Sequence, residues 1–420
     1  METAAKRARA GDPTNNDRLS ALPDDLLRHV LAFLPSRRAV QTGVLSKRWT
    51  GLWRSVRRID IKIDVNSPYH GDSYSKEKWE RAENFVNNLL TFHDAPTLDA
   101  FRIVIGSNHK DLLPTINRWV CRGIKYRPAD VEIGYYFHGV YKLPHLDSAS
   151  TALLKKLYLF GVYLDNHFEK QLRSGCPVLE DLTLQECWTY FRDIHSSTLR
   201  KLVLRHCYGS WEMLVIRAPA LVSLTIFTLY RKNGVTLDGP MNHLVDASIC
   251  PFDRRSSNPS RVSLLGSLFN VRNLELICLP AEVMLDKELD KYPSFMNLKT
   301  LSMTSCLDTK TFLVDGRLGS SCDPHEKFNA LARLLHKAPN LERLTLENCW
   351  SPRGSEQKMT ASGLSLRTPD QKDFDCPNLK SIEIKYRDDG KDHEKHQMFQ
   401  LVCGLIKNLD YPAVTFSRIK

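Results

Sequence analysis

Histidine and cysteine are the residues of this 420-residue chain whose spacing comes nearest to a metal site. Cys322 and His325 form a single C-x-x-H, and His393 and His396 enclose a glutamate in H-E-K-H, one residue short of H-E-x-x-H. A zinc ion needs paired ligands at short spacing, and neither motif has a second pair nearby. We therefore expect no metal site, and we expect the charged stretch around His393 to be solvated surface.

The motifs that bind nucleotides or activate a serine nucleophile are also missing from the sequence. There is no G-x-x-x-x-G-K-[ST] loop for phosphates, no G-x-G-x-x-G after a strand, and no G-x-S-x-G turn. The chain is therefore expected to be non-catalytic and to need no cofactor.

Four of the eleven cysteines stand at one repeated position, three places after the last apolar residue of an L-x-x-L-x-L segment. They are Cys187, Cys207, Cys306 and Cys349. A thiol is small and readily buried, so at a repeated position we expect it to fill the turn after a strand. No secretory signal is expected at the N-terminus, and the thiols are therefore predicted to be reduced.

The L-x-x-L-x-L segment recurs along most of the chain. Its clear copies begin at residues 154, 179, 199, 221, 271, 298, 341 and 379, and weaker copies begin at residues 98 and 244. Most neighbouring copies start 20 to 27 residues apart, which is typical of leucine-rich repeats. The longer intervals enclose insertions at 307–326 and 350–375, which are either binding loops or segments without structure.

The repeats predict an α/β fold, a solenoid of stacked strand–turn–helix units with a parallel sheet on its concave face. Alternating isoleucines from Ile59 predict the first strand, and apolar stripes predict helices at 77–92 and 327–337. After residue 376 we expect a last repeat and a cap over the open edge of the sheet. Its predicted elements are a strand at 382–384, a helix at 393–406 and an apolar run at 413–416.

Residues 22–53 follow a different pattern, with apolar residues at helical spacing. Pro23 and the two aspartates after it suit the first turn of a helix that stops at Pro35. Ser36 and Ser46 are expected to cap two further short helices. Three short helices cannot bury so many large side chains among themselves, so we expect apolar surface to remain for a partner protein.

This segment resembles the F-box, and its sequence is most similar to that of plant F-box proteins with leucine-rich repeats. The resemblance lies in Leu22-Pro23-Asp24, in LAFLP and VLSKRW, and in Leu52-Trp53, and the C-terminal stretch resembles the FBD-type ending of that family. It implies that the F-box binds a Skp-type adaptor on a cullin scaffold, while the repeats bind a protein to be ubiquitinated. The residues predicted to bind the adaptor are Leu22, Pro23, Leu26, Leu27, Val30, Leu31, Leu34, Val44, Leu45, Trp49, Leu52 and Trp53.

The distribution of charge argues against nucleic acid as a partner. The net charge is +11, but residues 1–60 hold 12 Lys or Arg and 6 Asp or Glu, which leaves the remaining 360 residues close to neutral. The sequence contains no run of 18 apolar residues, so we predict no membrane-spanning helix. The basic cluster of Lys6, Arg7 and Arg9 is either a nuclear import signal or a solvated tail, so the expected location is nucleus or cytoplasm.

These patterns predict five segments: a basic tail at 1–16, the F-box at 17–57, the solenoid at 58–350, an insertion at 351–375, and the last repeat with its cap at 376–420. The predicted function is substrate recognition within an SCF-type (Skp–cullin–F-box) E3 ubiquitin ligase. Two alternatives remain open. One is a repeat scaffold that binds the Skp-type adaptor without directing degradation, and the other is a receptor on the same architecture that senses a small molecule.

Overall fold

The computed structural model describes residues 21–64, 76–106, 110–136, 141–209, 213–227, 234–239, 241–250, 264–279, 284, 287–306, 313–314, 317–318, 324–349, 376–387 and 413–419. Several segments singled out above lie outside these residues. They are the basic cluster at 6–9, Cys322, most of the insertion at 307–326, the insertion at 350–375, and the H-E-K-H motif with the helix expected at 393–406.

Short helices come first along the chain, and longer ones follow among the strands. The helices are α1 Asp24–Leu31, α2 Ser36–Gln41, α3 Trp49–Leu52, α4 Lys76–Phe92, α5 Leu113–Lys125, α6 Ser148–Thr151, α7 Asn166–Ser174 and α8 Pro324–His336. The predicted helices at 77–92 and 327–337 correspond to α4 and α8, which confirms the apolar stripes that indicated them.

Strands recur at regular intervals from residue 58 onward. They are β1 Arg58–Asp64, β2 Ala100–Gly106, β3 Asp130–Tyr135, β4 Tyr141–Lys142, β5 Lys156–Phe160, β6 Val162–Leu164, β7 Asp181–Gln185, β8 Trp188–Thr189, β9 Asp193–His195, β10 Lys201–Arg205, β11 Tyr208–Gly209, β12 Leu214–Arg217, β13 Ser223–Phe227, β14 Val235–Leu237, β15 Asp246–Cys250, β16 Asn273–Ile277, β17 Thr300–Thr304, β18 Leu313–Val314, β19 Arg317–Leu318, β20 Arg343–Glu347, β21 Ser381–Arg387 and β22 Ala413–Ile419.

One large parallel sheet runs the length of the described chain. Its order is β1-β2-β3-β5-β7-β10-β13-β15-β16-β17-β20-β21-β22. Every predicted copy of L-x-x-L-x-L supplies one of these strands, and the alternating isoleucines from Ile59 supply β1. The predicted fold class, N-terminal helices followed by a parallel-stranded solenoid, is therefore confirmed.

The register of the sheet places equivalent repeat positions side by side. Leu182 of β7 pairs with Leu157 of β5 and with Leu202 of β10, and all three side chains are buried. Strand β3 was not among the expected repeats, because Pro128 stands where the repeat has its first leucine. Its Val131 and Ile133 nevertheless occupy the two inward positions between β2 and β5.

A left-handed backbone residue ends the main strand in many repeats. Glu186, His206 and Asn348 have φ of 54°, 50° and 49°, and each donates its backbone N–H to the next strand along the sheet. The repeated cysteine comes directly afterwards. The thiols of Cys187 and Cys306 donate to the carbonyl oxygens of Leu159 and Leu276, at 3.3 and 3.1 Å, and are fully buried. The expectation that these thiols belong to the core is therefore confirmed.

In the middle of the solenoid, the segments that lead from one main strand to the next are not the helices that the strand–turn–helix repeat predicts. Helices α4, α5 and α7 occupy the return path of the N-terminal repeats, but short strands β9, β12 and β14 form a three-stranded parallel sheet there instead. The reason is length: the repeats beginning at 179, 199 and 221 have only 20 to 23 residues, which leaves no room for a helix after the strand and its turns. The carboxylate of Asp193 in β9 stabilises this small sheet by accepting hydrogen bonds from Arg173, at 3.2 Å, and from Arg217.

The helices of residues 24–55 are joined to the solenoid by direct hydrogen bonds. Ser36 does not cap α2, because its hydroxyl accepts from the backbone N–H of Asp60 in β1 at 2.8 Å. The carbonyl of Arg54 accepts from the N–H of Asp94, which follows α4, and Val40 and Trp53 pack against the solenoid core. This junction has no linker, so the N-terminal helices and the first repeat hold each other in place.

His93, beside that junction, is a buried histidine without a hydrogen-bond partner for its ring among the described residues. Its ring packs edge-on to Tyr126 at 5.3 Å. Burial lowers the pKa of His93 below its ordinary value of 6.5, and the nearby Asp94 opposes that shift only in part. A lowered pKa in the folded state means that the unfolded chain takes up the proton first as the pH falls.

We therefore expect the free energy of unfolding to decrease as the pH is lowered below about 6.5. The dependence should be shallower in a His93→Phe variant, which keeps an aromatic ring against Tyr126 but cannot be protonated. Urea unfolding at several pH values between 7.5 and 5 measures this difference. If the free energy of unfolding falls equally with pH in the two proteins, protonation of His93 is not coupled to folding.

Candidate functional site

The residues predicted to bind an adaptor separate into a buried set and an exposed set. Leu27, Leu31, Trp49 and Leu52 form the core of the N-terminal helices, with Leu22 and Trp53 half-buried at its margin. The exposed set consists of Pro23, Leu26, Val30, Leu34, Val44 and Leu45. Only part of the predicted residues is therefore exposed, and the rest form or border the core of the helices.

Helix α1 shows why the two sets alternate. It begins directly after Pro23, with two aspartates in its first turn, and it ends at Leu31, four residues before Pro35. Leu27 and Leu31 are one turn apart and face the core, whereas Leu26 and Val30 lie on the adjoining face and are exposed. The four apolar residues of α1 thus divide between two faces.

Phe33 belongs to the exposed set although it was not among the predicted residues. It is 77% exposed and lies seven residues after Leu26 and three after Val30, so helical spacing could have identified it. Its ring packs edge-on against His29 at 5.2 Å. This contact limits the positions that the exposed ring adopts.

The turn between α2 and α3 carries the most exposed apolar side chain of the set. Val44 is 88% exposed and Leu45 is 66% exposed, at the end of a 3-10 turn over Thr42–Val44. The turn is held against α3, because the hydroxyl of Thr50 donates to the carbonyl of Gly43 at 3.3 Å. The two side chains therefore project from a braced turn.

An arginine fixes the start of α1 relative to α3. The Nε of Arg48 donates to a carboxylate oxygen of Asp24 at 2.7 Å, and its guanidinium also donates to the carbonyl of Leu22. These bonds tie the Leu22-Pro23-Asp24 segment to the residues just before Trp49. These hydrogen bonds of Arg48 therefore fix the position of Leu22 and Pro23 relative to α3.

We call Leu26, Val30, Phe33, Leu34, Val44 and Leu45 the exposed apolar surface. Six of the fifteen large hydrophobic side chains that are exposed in the described chain fall in this one stretch of residues 26–45. Single exposed apolar residues are normal on a protein surface, whereas a set concentrated in one segment is a candidate contact site. The chemistry of this surface suits burial against another protein.

The buried thiols of the solenoid are not activated as nucleophiles. Burial raises the pKa of the Cys187 and Cys306 thiols well above the ordinary range, and that of Cys176 to about 11, so these thiols are poor nucleophiles. Within the ranges that the structure describes, no three His, Cys, Asp or Glu side chains are grouped to hold a metal ion. Over the same ranges, no helix has both the length and the apolar character to cross a membrane.

Both parts of the chain match models of known protein families. Residues 19–60 match the family model of the F-box domain, and residues 132–239 match the model described as "FBD-associated F-box protein At5g56370, LRR repeats". None of these matches is to an enzyme family.

Similar proteins extend the match over most of the chain. The "MEIOTIC F-BOX protein MOF" of Oryza sativa subsp. japonica is 34% identical over 88% of this chain and 80% of its own length. The "Putative F-box/LRR-repeat protein At4g15060" of Arabidopsis thaliana is 27% identical over 80% of each chain, and the "Putative FBD-associated F-box protein At5g56440" is 29% identical over 69% and 70%. With its F-box helices, its repeat sheet and these relatives, the chain belongs to the plant F-box/leucine-rich-repeat family.

Proposed function

We propose that this protein is the substrate-recognition subunit of an SCF-type E3 ubiquitin ligase. Its F-box binds a Skp-type adaptor and, through the adaptor, a cullin scaffold, while the solenoid binds the protein to be ubiquitinated. The protein itself is non-catalytic and positions its client for an enzyme elsewhere in the complex. The exposed apolar surface is the observation that carries this proposal.

The physical argument rests on how that surface is built. Its side chains are held out by α1 and by a braced turn while Leu27, Leu31, Trp49 and Leu52 fill the core beneath them. An apolar surface on a rigid base loses little conformational entropy when a partner covers it, which favours binding. The adaptor-binding residues are therefore the exposed ones, with Phe33 added, and the buried ones act by holding the helices in shape.

The junction with the solenoid supports the second half of the proposal. The hydrogen bonds from Asp60 to Ser36 and from Asp94 to Arg54 join the F-box to the first repeats without a linker. A client held by the repeats would then keep a constant orientation relative to the adaptor. Ubiquitin transfer over a distance benefits from such fixed geometry, because it raises the effective concentration of the client's lysines near the enzyme.

Proximity labelling in plant cells treated with a proteasome inhibitor tests the proposal. The full chain and a Val44→Asp variant, each fused to the labelling enzyme, should label the same client proteins, since Val44 belongs to the F-box and not to the repeats. Those clients should carry ubiquitin with the wild-type fusion and much less with the variant. Equal ubiquitination with both fusions would contradict the proposal, and clients without ubiquitin in either case would favour a non-degradative scaffold.

A further inference from the structure

Among the described residues, one half-buried hydrophobic side chain packs against both hydrophobic cores, and it belongs to Trp53. One core is that of the F-box helices, and the other runs along the solenoid. Leu22 and Ala32 border the F-box core and Val40 borders the solenoid core, whereas Trp53 borders both. The indole therefore lies where the two units meet.

Only two residues separate the last helical turn of the F-box from the first strand of the solenoid. The 3-10 turn Trp53–Ser55 is followed by Val56 and Arg57, and β1 begins at Arg58. The side chain of Val56 is buried in the F-box core, and that of Ile59 is buried in the solenoid core. Rotation about the backbone between them would pull the Trp53 ring away from one of the two cores, which costs apolar contact.

An exposed arginine links the indole to a ring of the solenoid. The guanidinium carbon of Arg54 lies 5.7 Å from the ring centre of Trp53 and 5.6 Å from that of Phe92. Both distances are typical of cation–π contacts. Phe92 is the last residue of α4, so Arg54 joins an F-box ring to a solenoid ring. The carbonyl of Arg54 also accepts a hydrogen bond from the backbone N–H of Asp94, at 3.0 Å.

The solenoid side of this contact is itself held in place. The hydroxyl of Tyr126, which follows α5, lies 3.2 Å from the carbonyl oxygens of both Leu90 and His93. It thereby ties the end of α4, next to Phe92, to the end of the following helix. Trp53 and Arg54 thus contact a segment that is fixed by the next repeat.

These contacts favour a role for Trp53 other than the adaptor binding predicted from the sequence. Its indole is half-buried, and it is already in contact with two cores and with the guanidinium of Arg54. The exposed apolar surface is formed by residues 26–45 and does not include it. A side chain with these neighbours is suited to join the two units.

We infer that Trp53, held by Arg54 and Phe92, is a positioning residue that fixes the angle between the F-box and the solenoid. The inference rests on the proposed function in one respect, since the angle matters for ubiquitin transfer only if the F-box binds the adaptor and the repeats bind the client. Without the indole, both units would keep their partners, but the lysines of the client would be spread over more positions. Transfer would slow, because their effective concentration near the enzyme falls.

The spread of the angle is measured on the full chain by pulsed electron spin resonance. Spin labels are introduced as unnatural amino acids at Arg37 on α2 and at Lys170 on α7, both exposed, so that the native cysteines stay unlabelled. We expect a narrow distribution of distances in the wild type and a broader one in Trp53→Ala. Trp53→Phe, which keeps an aromatic ring at the boundary, should restore most of the narrow distribution.

Phe92→Ala tests the same contact from the solenoid side. Phe92 is 51% exposed and belongs to neither core, so its removal takes away one of the two rings beside Arg54 and leaves the F-box intact. The distribution should broaden, though less than in Trp53→Ala. Phe416→Ala is the matched control, because it removes a ring that is 46% exposed on β22, at the other end of the sheet.

Adaptor affinity and ubiquitin on the proximity-labelled clients separate positioning from binding. Both alanine variants should bind purified adaptor as the wild type does and label the same clients. Ubiquitin on those clients should fall several-fold in Trp53→Ala and recover in Trp53→Phe. A change that merely unfolded the F-box would also abolish adaptor binding.

Circular dichroism shows which variants are folded. A wild-type distance distribution in every folded alanine variant of Trp53 and Phe92 would overturn the inference. Lost adaptor binding in a folded Trp53→Ala variant with an unchanged distribution would also overturn it and would make Trp53 an adaptor contact. Absence of adaptor binding by the wild type would contradict the proposed function instead, whereas the distance distributions would still decide the role of Trp53.

Discussion

A Val44→Asp or Phe33→Asp variant is expected to lose binding to the Skp-type adaptor while its helices remain folded. Both side chains are largely exposed in the free protein, so a carboxylate there stays hydrated and the core beneath is untouched. In a complex the same carboxylate would have to be buried against apolar atoms without a partner. Loss of a central anchor alone typically weakens binding by about 2 kcal/mol or more, or roughly thirtyfold.

Surface plasmon resonance with purified adaptor measures the effect, and circular dichroism checks the fold. Val178→Asp is a suitable control, because Val178 is 36% exposed on the solenoid and lies outside the F-box. Wild-type affinity in both folded F-box variants would show that the exposed apolar surface is not where the adaptor binds.

Leu31→Ala should also lose the adaptor, but through a different cause. Leu31 is fully buried in the core of the N-terminal helices, so the substitution leaves a cavity and destabilises the F-box itself. Its melting temperature should therefore fall, whereas that of Val44→Asp should not. The pair of variants separates residues that contact the adaptor from residues that hold the contact surface in place.

The second large effect is expected in the core of the repeats. Leu202→Ala should lower the free energy of unfolding by roughly 2 to 5 kcal/mol, because Leu202 is fully buried and its removal leaves a cavity between β7 and β13. Leu182 and Leu344 occupy the same inward position and should behave alike. Because each repeat is supported by its neighbours, the loss should spread along the stack.

Urea unfolding measures the loss, and hydrogen exchange shows how far it extends. Thr183→Ala is the matched control, since Thr183 lies between Leu182 and Leu184 on β7 but points away from the core. Exchange should accelerate in the β7 and β13 amides of Leu202→Ala and remain unchanged in Thr183→Ala. Equal unfolding curves for the two variants would mean that the inward position does not carry the stability of the repeat.

Much of the architecture could be predicted from the sequence, because few folds are compatible with a repeat of this period. Two leucines that are two residues apart, such as Leu182 and Leu184, lie on one face of a strand. A copy of this pattern every 20 to 27 residues predicts that the strands stack in parallel. The same regularity indicated that Cys187 and its equivalents are buried. It did not reveal β3, because Pro128 interrupts the leucine pattern at that repeat.

Other features were decided only by the tertiary structure, since they depend on which neighbour each side chain meets. Helical spacing groups Leu26 with Leu27, but only packing against α3 buries one and leaves the other exposed. Ser36 looks like a helix cap, and only the approach of β1 turns its hydroxyl toward Asp60. The rings of Tyr163, Trp188 and Tyr208 likewise come together because the register aligns residues from three repeats that are 20 or more positions apart. Local patterns determine what a segment can form, whereas burial and long-range contact depend on the assembled fold.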